Sequence, residues 1–288
     1  MTETSQNMPI AFQGAPGAYS DLACRELFPN RRTLPCRAFE DVLAAVTNGE
    51  AALAVLPIEN SVAGRVADVH HLLPHSGLHI IGEHFAPVNH HLLALPGVAI
   101  DEIKTIRSHV HALGQCRELI RKLGATPIVA ADTAGAAAEL AQSKDRTVAA
   151  IASELAGRIY GLVSLQANIE DAAHNTTRFV VLSREPVVPP VDAGLAVTSL
   201  VFRVRNVPAS LYKAMGGFAT NGVNMTKLES YMVGGRFTAT EFYADVEAHP
   251  AERRLQLALE ELRFFTEEVT ILGTYPGHSY RKAATQGP

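Results

Sequence analysis

The feature that most constrains this chain is a change of rhythm at one proline-rich segment. Residues 184–194, Arg-Glu-Pro-Val-Val-Pro-Pro-Val-Asp-Ala-Gly, hold three prolines. A run that lacks those amide donors and has φ fixed at each proline extends neither a helix nor a central strand. Before it, short apolar and β-branched runs alternate with longer stretches of helical period; after it, strongly alternating strands follow at closer intervals. A chain of 288 residues has room for about two domains of ordinary size, and this segment predicts the boundary between them.

Upstream, the pattern predicts strands over residues 10–13, 52–57, 79–88, 90–94, 105–108, 127–129, 148–150 and 178–182, and helices over 20–28, 39–48, 111–123, 133–142 and 153–160. Strands and helices taking turns predict an α/β domain with largely parallel sheets. Ser20, Ser108 and Asp132 stand at expected helix starts, where a side-chain oxygen accepts from orphan amides. Gly49 and Gly124 suit the C-terminal ends. Downstream, strands over 195–205, 223–233, 236–247 and 269–275 are interleaved with helices over 209–220 and 251–266. Gly234-Gly235 marks a hairpin between the two central strands. The order is βαββαβ, a ferredoxin-like unit.

Composition excludes several function classes. With 47% hydrophobic and 19% charged residues the balance is globular, and 25 Lys and Arg against 29 Asp and Glu leave a net charge of −4. That is no field for holding a phosphate backbone, so no nucleic-acid partner is expected. No apolar run approaches the ~18 residues of a membrane span, and the start MTETSQNMPI has neither the charged nor the apolar region of a secretion signal. A cytoplasmic protein without a membrane partner is expected. Cys24, Cys36 and Cys116 are too few and too scattered for a disulfide framework or a metal knuckle. Seven of the 12 histidines fall between His70 and His91, but no HExxH occurs and Pro74 interrupts the His71 to His75 spacing. No metal and no cofactor are expected.

Four loops carry candidate chemistry. Gly14-Ala15-Pro16-Gly17-Ala18-Tyr19-Ser20 is neither GxGxxG nor a P-loop, and reads as a structural turn or as an anion cradle ending in Ser20 at a helix start. Leu56-Pro57-Ile58-Glu59-Asn60-Ser61 follows an apolar strand, where α/β sheets carry ligand loops; Asn60 and Ser61 either orient a small polar substrate or cap a helix. Ser108-His109 leads from a strand into a helix bearing Leu113-Gly114-Gln115-Cys116, with the same two readings. Asn175-Thr176-Thr177-Arg178-Phe179 runs into a strand, and Arg178 at its mouth is either an exposed edge residue or a bidentate partner for a substrate carboxylate.

In their order and spacing these four segments resemble the prephenate dehydratase family, and the likeness covers nearly the whole chain. The resemblance implies a two-lobed, periplasmic-binding-protein-like catalytic domain over 1–185, with a second lobe over about 90–172, a linker over 186–194, an ACT regulatory domain over 195–280 and a flexible tail over 281–288. It implies conversion of prephenate to phenylpyruvate with loss of water and carbon dioxide in phenylalanine biosynthesis. Aromatisation drives that reaction, so neither cofactor nor metal is required. The family's TRF motif falls on Thr177-Arg178-Phe179, which gives Thr177 the catalytic role of donating to the departing hydroxyl. Arg178, Phe179, Asn60, Ser61, Ser20 and Ser108 become candidates for holding the substrate.

For the ACT region the resemblance implies a homodimer or homotetramer with L-phenylalanine as effector, near Ala209, Ser210, Leu211, Asn221, Asn224, Glu229 and Ser230. This chain departs from the family there and elsewhere. Ala18 stands where Thr is usual, Ala209-Ser210-Leu211 where Gly-Ala-Leu is usual, and Glu229-Ser230-Tyr231-Met232 where Glu-Ser-Arg-Pro is usual. Two other readings stand beside the dehydratase: an arogenate dehydratase, which takes an amine in place of the keto group, and a non-catalytic ACT-containing amino-acid sensor. The missing dinucleotide fingerprint disfavours a prephenate dehydrogenase.

Overall fold

The computed structural model describes residues 8–232 and 239–281. The expected Gly234-Gly235 hairpin turn, and the expected tail beyond residue 281, lie outside the described residues. Strands β1 (Ile10–Gln13), β2 (Thr33–Cys36), β3 (Leu53–Asn60), β4 (Gly64–Arg65) and β5 (His79–Pro87) come first in the chain. Then follow β6 (His91–Ala94), β7 (Thr105–Ser108), β8 (Thr126–Val129), β9 (Val148–Ala152), β10 (Val163–Ala167) and β11 (Thr176–Ser183). One sheet runs β2-β1-β3-β11-β5 with β4 on β3, and a second runs β10-β6-β9-β7-β8.

The fold is α/β, but its sheets are mixed rather than largely parallel. β1 is parallel to β2 and β3, and β7 to β8 and β9, whereas β6 is antiparallel to both β9 and β10. β6 follows β5 of the other sheet after three residues, so no crossover helix forces it parallel to its neighbours. β2 and β10 escaped the sequence pattern because both are edge strands. Pro35 sits in β2, a position tolerated where one side makes no ladder bonds.

Local chemistry explains the helices. Asp132 caps Thr133–Ser143 by accepting from the Gly135 amide at 2.7 Å, and Gly124 ends Arg117–Leu123 at φ +62°. Two expected caps are corrected. The first helix, Tyr19–Leu27, begins one residue before Ser20 and has Ala18 at its N-cap without a side-chain bond. After β7 the cap is His109, which accepts from the His111 amide, while the Ser108 hydroxyl donates to the Ile151 carbonyl at 2.6 Å. The helix expected over 111–123 is two, Val110–Gln115 and Arg117–Leu123. Asp171 causes the break: its carboxylate accepts from the Arg117 and Glu118 amides at 2.9 and 3.1 Å and so starts a new helix.

The chain divides into two compact units, residues 1–69 with 84–179 and residues 70–83 with 180–288. In the first, the second sheet is packed against helices by Leu92, Ile106, Leu119, Ile120, Ala149 and Ile151. In the second unit, β12 (Ala196–Val204), β13 (Met225–Met232), β14 (Ala239–Val246) and β15 (Thr266–Pro276) are joined with helices Ser210–Thr220 and Arg253–Phe265 in the expected βαββαβ order. Their sheet runs β13-β14-β12-β15, antiparallel throughout. Strand period decides its core: Leu200, Phe202, Val204, Phe242, Ala244 and Val246 share one face with helix residues Phe218, Leu255 and Leu262. Burial of each large side chain there contributes about 1.5–3 kcal/mol.

Candidate active site

A cavity of about 610 Å³ opens in the first unit, a size suited to a small-molecule site. Strand ends and helix starts build its walls. Gln13, Gly14, Ala18, Tyr19 and Ser20 come from the turn after β1; Pro57, Asn60 and residues 63–68 from the end of β3 and β4; His109, His111 and residues 131–133 from the second sheet; and Thr177 and Phe179 from β11. Of the residues the sequence singled out, Ser20, Asn60, Thr177 and Phe179 line this space together.

Thr177 is 9% exposed, and its Oγ1 accepts from Asn60 Nδ2 at 3.0 Å. The amide orientation of Asn60 is forced, because its Oδ1 accepts from the Val62 and Ala63 amides at 3.0 and 2.8 Å. Nδ2 must therefore face Thr177. Among the described residues no acceptor lies within bonding distance of the Thr177 hydroxyl, so its proton is left for whatever occupies the cavity. Asn60 thus turns a weak acid into an aimed donor.

Arg178 is not among the residues lining the cavity. Successive side chains of a strand point to opposite faces, and with Thr177 and Phe179 toward the cavity, Arg178 turns away. Its Nη1 is 2.9 Å from Glu59 Oε1, the guanidinium lies 5.9 Å from the Phe85 ring centre, and the side chain is only 3% exposed. The residue expected to partner a substrate carboxylate is thus paired with Glu59 inside the fold.

Two hydroxyls are committed as well. Ser61 Oγ donates to the His174 carbonyl at 2.7 Å and accepts from the Thr176 amide at 2.9 Å, tying the β3 loop to β11. Ser108 is fully buried and bonded within its own sheet. Neither Ser61 nor Ser108 lines the cavity. Ser20, by contrast, is buried, lines the cavity and has no hydrogen-bond partner among the described residues.

Other groups of the site were missed or left without a role by the sequence reading. Arg65 lines the cavity. His109 does too; burial, helped by nearby His111, pushes its pKa below the ordinary imidazole value, and its Nδ1 accepts from the His111 amide at 3.3 Å. The neutral ring then carries its proton on Nε2, a second uncharged donor. Ala18 leaves the first-turn amides of Tyr19–Leu27 without a side-chain cap at the cavity wall, where the positive end of the helix favours an anion. The turn is held by the far sheet's helix Glu154–Tyr160: Ser153 Oγ donates to the Gly17 carbonyl at 2.5 Å and Tyr160 OH to that of Pro16 at 2.9 Å. Gly17, at φ +89°, packs so closely that a Cβ would meet Ala156 Cα at 2.7 Å.

Behind Thr177 runs a line of amides: Asn60 Nδ2 also donates to Asn175 Oδ1 at 2.8 Å, and Asn175 Nδ2 to Gln115 Oε1 at 3.0 Å. Gln115 Oε1 is 2.9 Å from His90 Nε2, and His90 Nδ1 is 2.8 Å from Tyr19 OH. These partners lie 115, 60, 25 and 71 positions apart. No local pattern could pair them.

The prephenate dehydratase family model matches residues 10–187. The chain belongs to the prephenate dehydratase family. It is 52% identical over 274 residues to a bifunctional N-acyl-homoserine lactone acylase/prephenate dehydratase of Komagataeibacter europaeus, covering 95% of this chain and 97% of that one. It is 43% identical to arogenate dehydratase/prephenate dehydratase 1 of Arabidopsis thaliana, covering 93% of this chain and 71% of that protein. Among solved structures, the prephenate dehydratase of Arthrobacter aurescens in complex with L-Phe superposes with a TM-score of 0.86 at 28% identity, covering 97% of both chains. Within the family part, Thr177 and Asn60 are the groups that the fold aims together at the cavity.

In the second unit, the residues expected near an effector have local partners. Ala209 takes φ +65° at the start of Ser210–Thr220, with Ser210 buried and Leu211 packed on the core. Asn221 Nδ2 donates to the Gly217 carbonyl at 2.8 Å and to Glu261 at 3.1 Å, and Asn224 Nδ2 to Glu247 at 2.8 Å. Glu229 pairs with Lys227 at 2.8 Å, and Ser230 is exposed on β13. Among the described residues no cluster of three or more His, Cys, Asp or Glu suits a metal ion, and no helix is long and apolar enough to cross a membrane.

Proposed function

We propose that this chain is a cytoplasmic prephenate dehydratase acting in phenylalanine biosynthesis. The observation that carries this reading is the Thr177 hydroxyl, which has its acceptor side filled by Asn60 and its proton directed to the cavity. As the ring carboxylate leaves as carbon dioxide, its bonding electrons enter the ring and expel the hydroxyl, and the departing oxygen takes up a proton to leave as water. A hydrogen bond from Thr177 strengthens as negative charge grows on that oxygen. The retained carboxylate is held by the first-turn amides of Tyr19–Leu27 and Ser20, with Arg65 and the neutral imidazole of His109 at the same wall. The reaction requires no redox or covalent step.

Ultraviolet detection of phenylpyruvate formed from prephenate tests the proposal, and a purified chain that leaves prephenate intact while acid converts it would defeat it. Arogenate is the nearest alternative substrate, as in the plant relatives; the ratio of kcat/KM on the two compounds decides. A second activity, N-acyl-homoserine lactone hydrolysis, is supported by the 52% identity to the Komagataeibacter acylase/dehydratase. Release of free fatty acid from such a lactone tests it. A non-catalytic sensor would bind ligand and turn nothing over.

We also propose that the βαββαβ unit is an ACT module that takes L-phenylalanine as effector at an interface between copies of a homodimer or homotetramer. Support comes from the strand order and from the L-Phe complex of the Arthrobacter relative. An effector shifts activity only through unequal affinity for two states. Repeating the assay with added phenylalanine tests for such coupling.

A further inference from the structure

The direction of every hydrogen bond behind Thr177 follows from one fixed point. The Val62 and Ala63 amides can only donate, so the atom of Asn60 they meet is its oxygen. Asn60 Nδ2 then donates to Asn175, whose contacting atom is its oxygen; Asn175 Nδ2 accordingly faces Gln115, and the Gln115 atom it meets is the carbonyl. That carbonyl also meets His90 Nε2, so Nε2 carries a proton. His90 is 2% exposed, and burial lowers its pKa below the ordinary imidazole value. In the neutral ring Nδ1 is then bare and shares the Tyr19 hydroxyl proton with the Asn89 carbonyl, each acceptor lying 2.8 Å from that oxygen.

The line crosses the first unit from one sheet to the other. His90 and Gln115 flank the second sheet, whereas Asn60 ends β3 and Thr177 lies in β11 of the first, Asn175 directly precedes β11, and Tyr19 opens the helix after β1. Gln115 Oε1 receives two donors, one from each side. With the His90 donor gone, only the Asn175 amide holds the Gln115 carbonyl, and a rotated Gln115 amide would set N–H against N–H and push Asn175 off Asn60. We infer that His90 is a positioning residue for the dehydratase reaction: Val62 and Ala63 orient the Asn60 amide, and the His90 Nε2–H holds Gln115, and through it Asn175, in place against that amide, so that Asn60 stays seated on Thr177 with the Thr177 proton aimed into the cavity. This inference rests on the proposed dehydratase reading.

The test compares His90→Leu with His90→Gln in the full chain, using prephenate. A glutamine amide reaches the Nε2 position and restores a donor, whereas leucine fills similar volume without one. Expected are a kcat about tenfold lower for H90L with KM within about twofold of wild type, and recovery of most of the loss in H90Q. Tyr19→Phe, which removes one oxygen and leaves the ring, is expected to lower kcat by about threefold and so keeps the inference testable where H90L fails to fold. Equal kcat in H90L and H90Q, or losses confined to KM, would overturn the inference while wild-type turnover upheld the reaction. An inactive wild type would instead overturn the proposed function.

Discussion

Thr177 and Arg178 are neighbours with opposite fates, and the pleat of one strand decides both. Substituting Thr177→Ala is expected to lower kcat by about a hundredfold, in line with loss of one positioned donor, with Thr177→Ser retaining most activity. Steady-state assays on prephenate check this. Arg178→Met is expected to act on stability instead: Glu59 keeps 26% of its side chain exposed, so the cost falls to about 1–3 kcal/mol, below the ~3–5 kcal/mol for breaking a fully buried pair. Urea midpoints should drop while KM stays within about twofold. A KM effect without a stability effect would return Arg178 to the substrate.

His90 also ties stability to pH. Burial holds its folded pKa below the ordinary 6.5, so the unfolded chain takes up this proton first as pH falls. Its contribution to stability is therefore present above about pH 6.5, is lost as pH falls below that, and levels off under the folded value. Urea midpoints at pH 8.0 and 5.5 for wild type and His90→Gln should converge on the acid side. A gap of constant size would refute the assignment.

Among the elements, those with strong internal period were legible and those shaped by distant partners were not. Residues 10–13 and 105–108 emerge with the predicted bounds, because apolar alternation is read within a few residues. The split at Cys116 was hidden because Asp171, which starts the second helix, is far away in sequence. Ala209 is a local conflict of a different kind. It holds φ +65°, where a Cβ crowds the backbone. Ala209→Gly should raise stability by about 0.5–1 kcal/mol, the relief of that strain less the entropy of a freer unfolded chain. Thermal unfolding checks it, and a lowered midpoint would show the strain is absent.

At the scale of the whole molecule, the second unit carries buried charge of its own. Arg281 Nε and Nη2 lie 2.6 and 2.8 Å from the Glu83 oxygens, Nη1 donates to Thr226 Oγ1 at 3.0 Å, and Asp245, fully buried, bonds to Ser199 and Tyr243 on the sheet face away from the helices. Removing a guanidinium from a buried carboxylate costs about 3–5 kcal/mol. Arg281→Ala should therefore speed hydrogen exchange across residues 70–83 and 180–281, and adding Glu83→Gln should restore part of the protection. Equal exchange in wild type and Arg281→Ala would show that the pair contributes nothing.

The sequence by itself determined what depends on neighbours a few positions apart: the alternation of strands and helices and the βαββαβ order. Only the tertiary structure decided which face of β11 meets the cavity, that Ser61 bonds to the His174 carbonyl, Ser108 to that of Ile151 and Arg178 to Glu59, and that His90, Gln115, Asn175 and Asn60 stand in line behind Thr177. The reason is physical. A period or a cap is set by backbone geometry within a turn or two, whereas a hydrogen bond between residues 60 or 115 positions apart exists only once both sheets have packed and excluded the water that would otherwise satisfy each group alone.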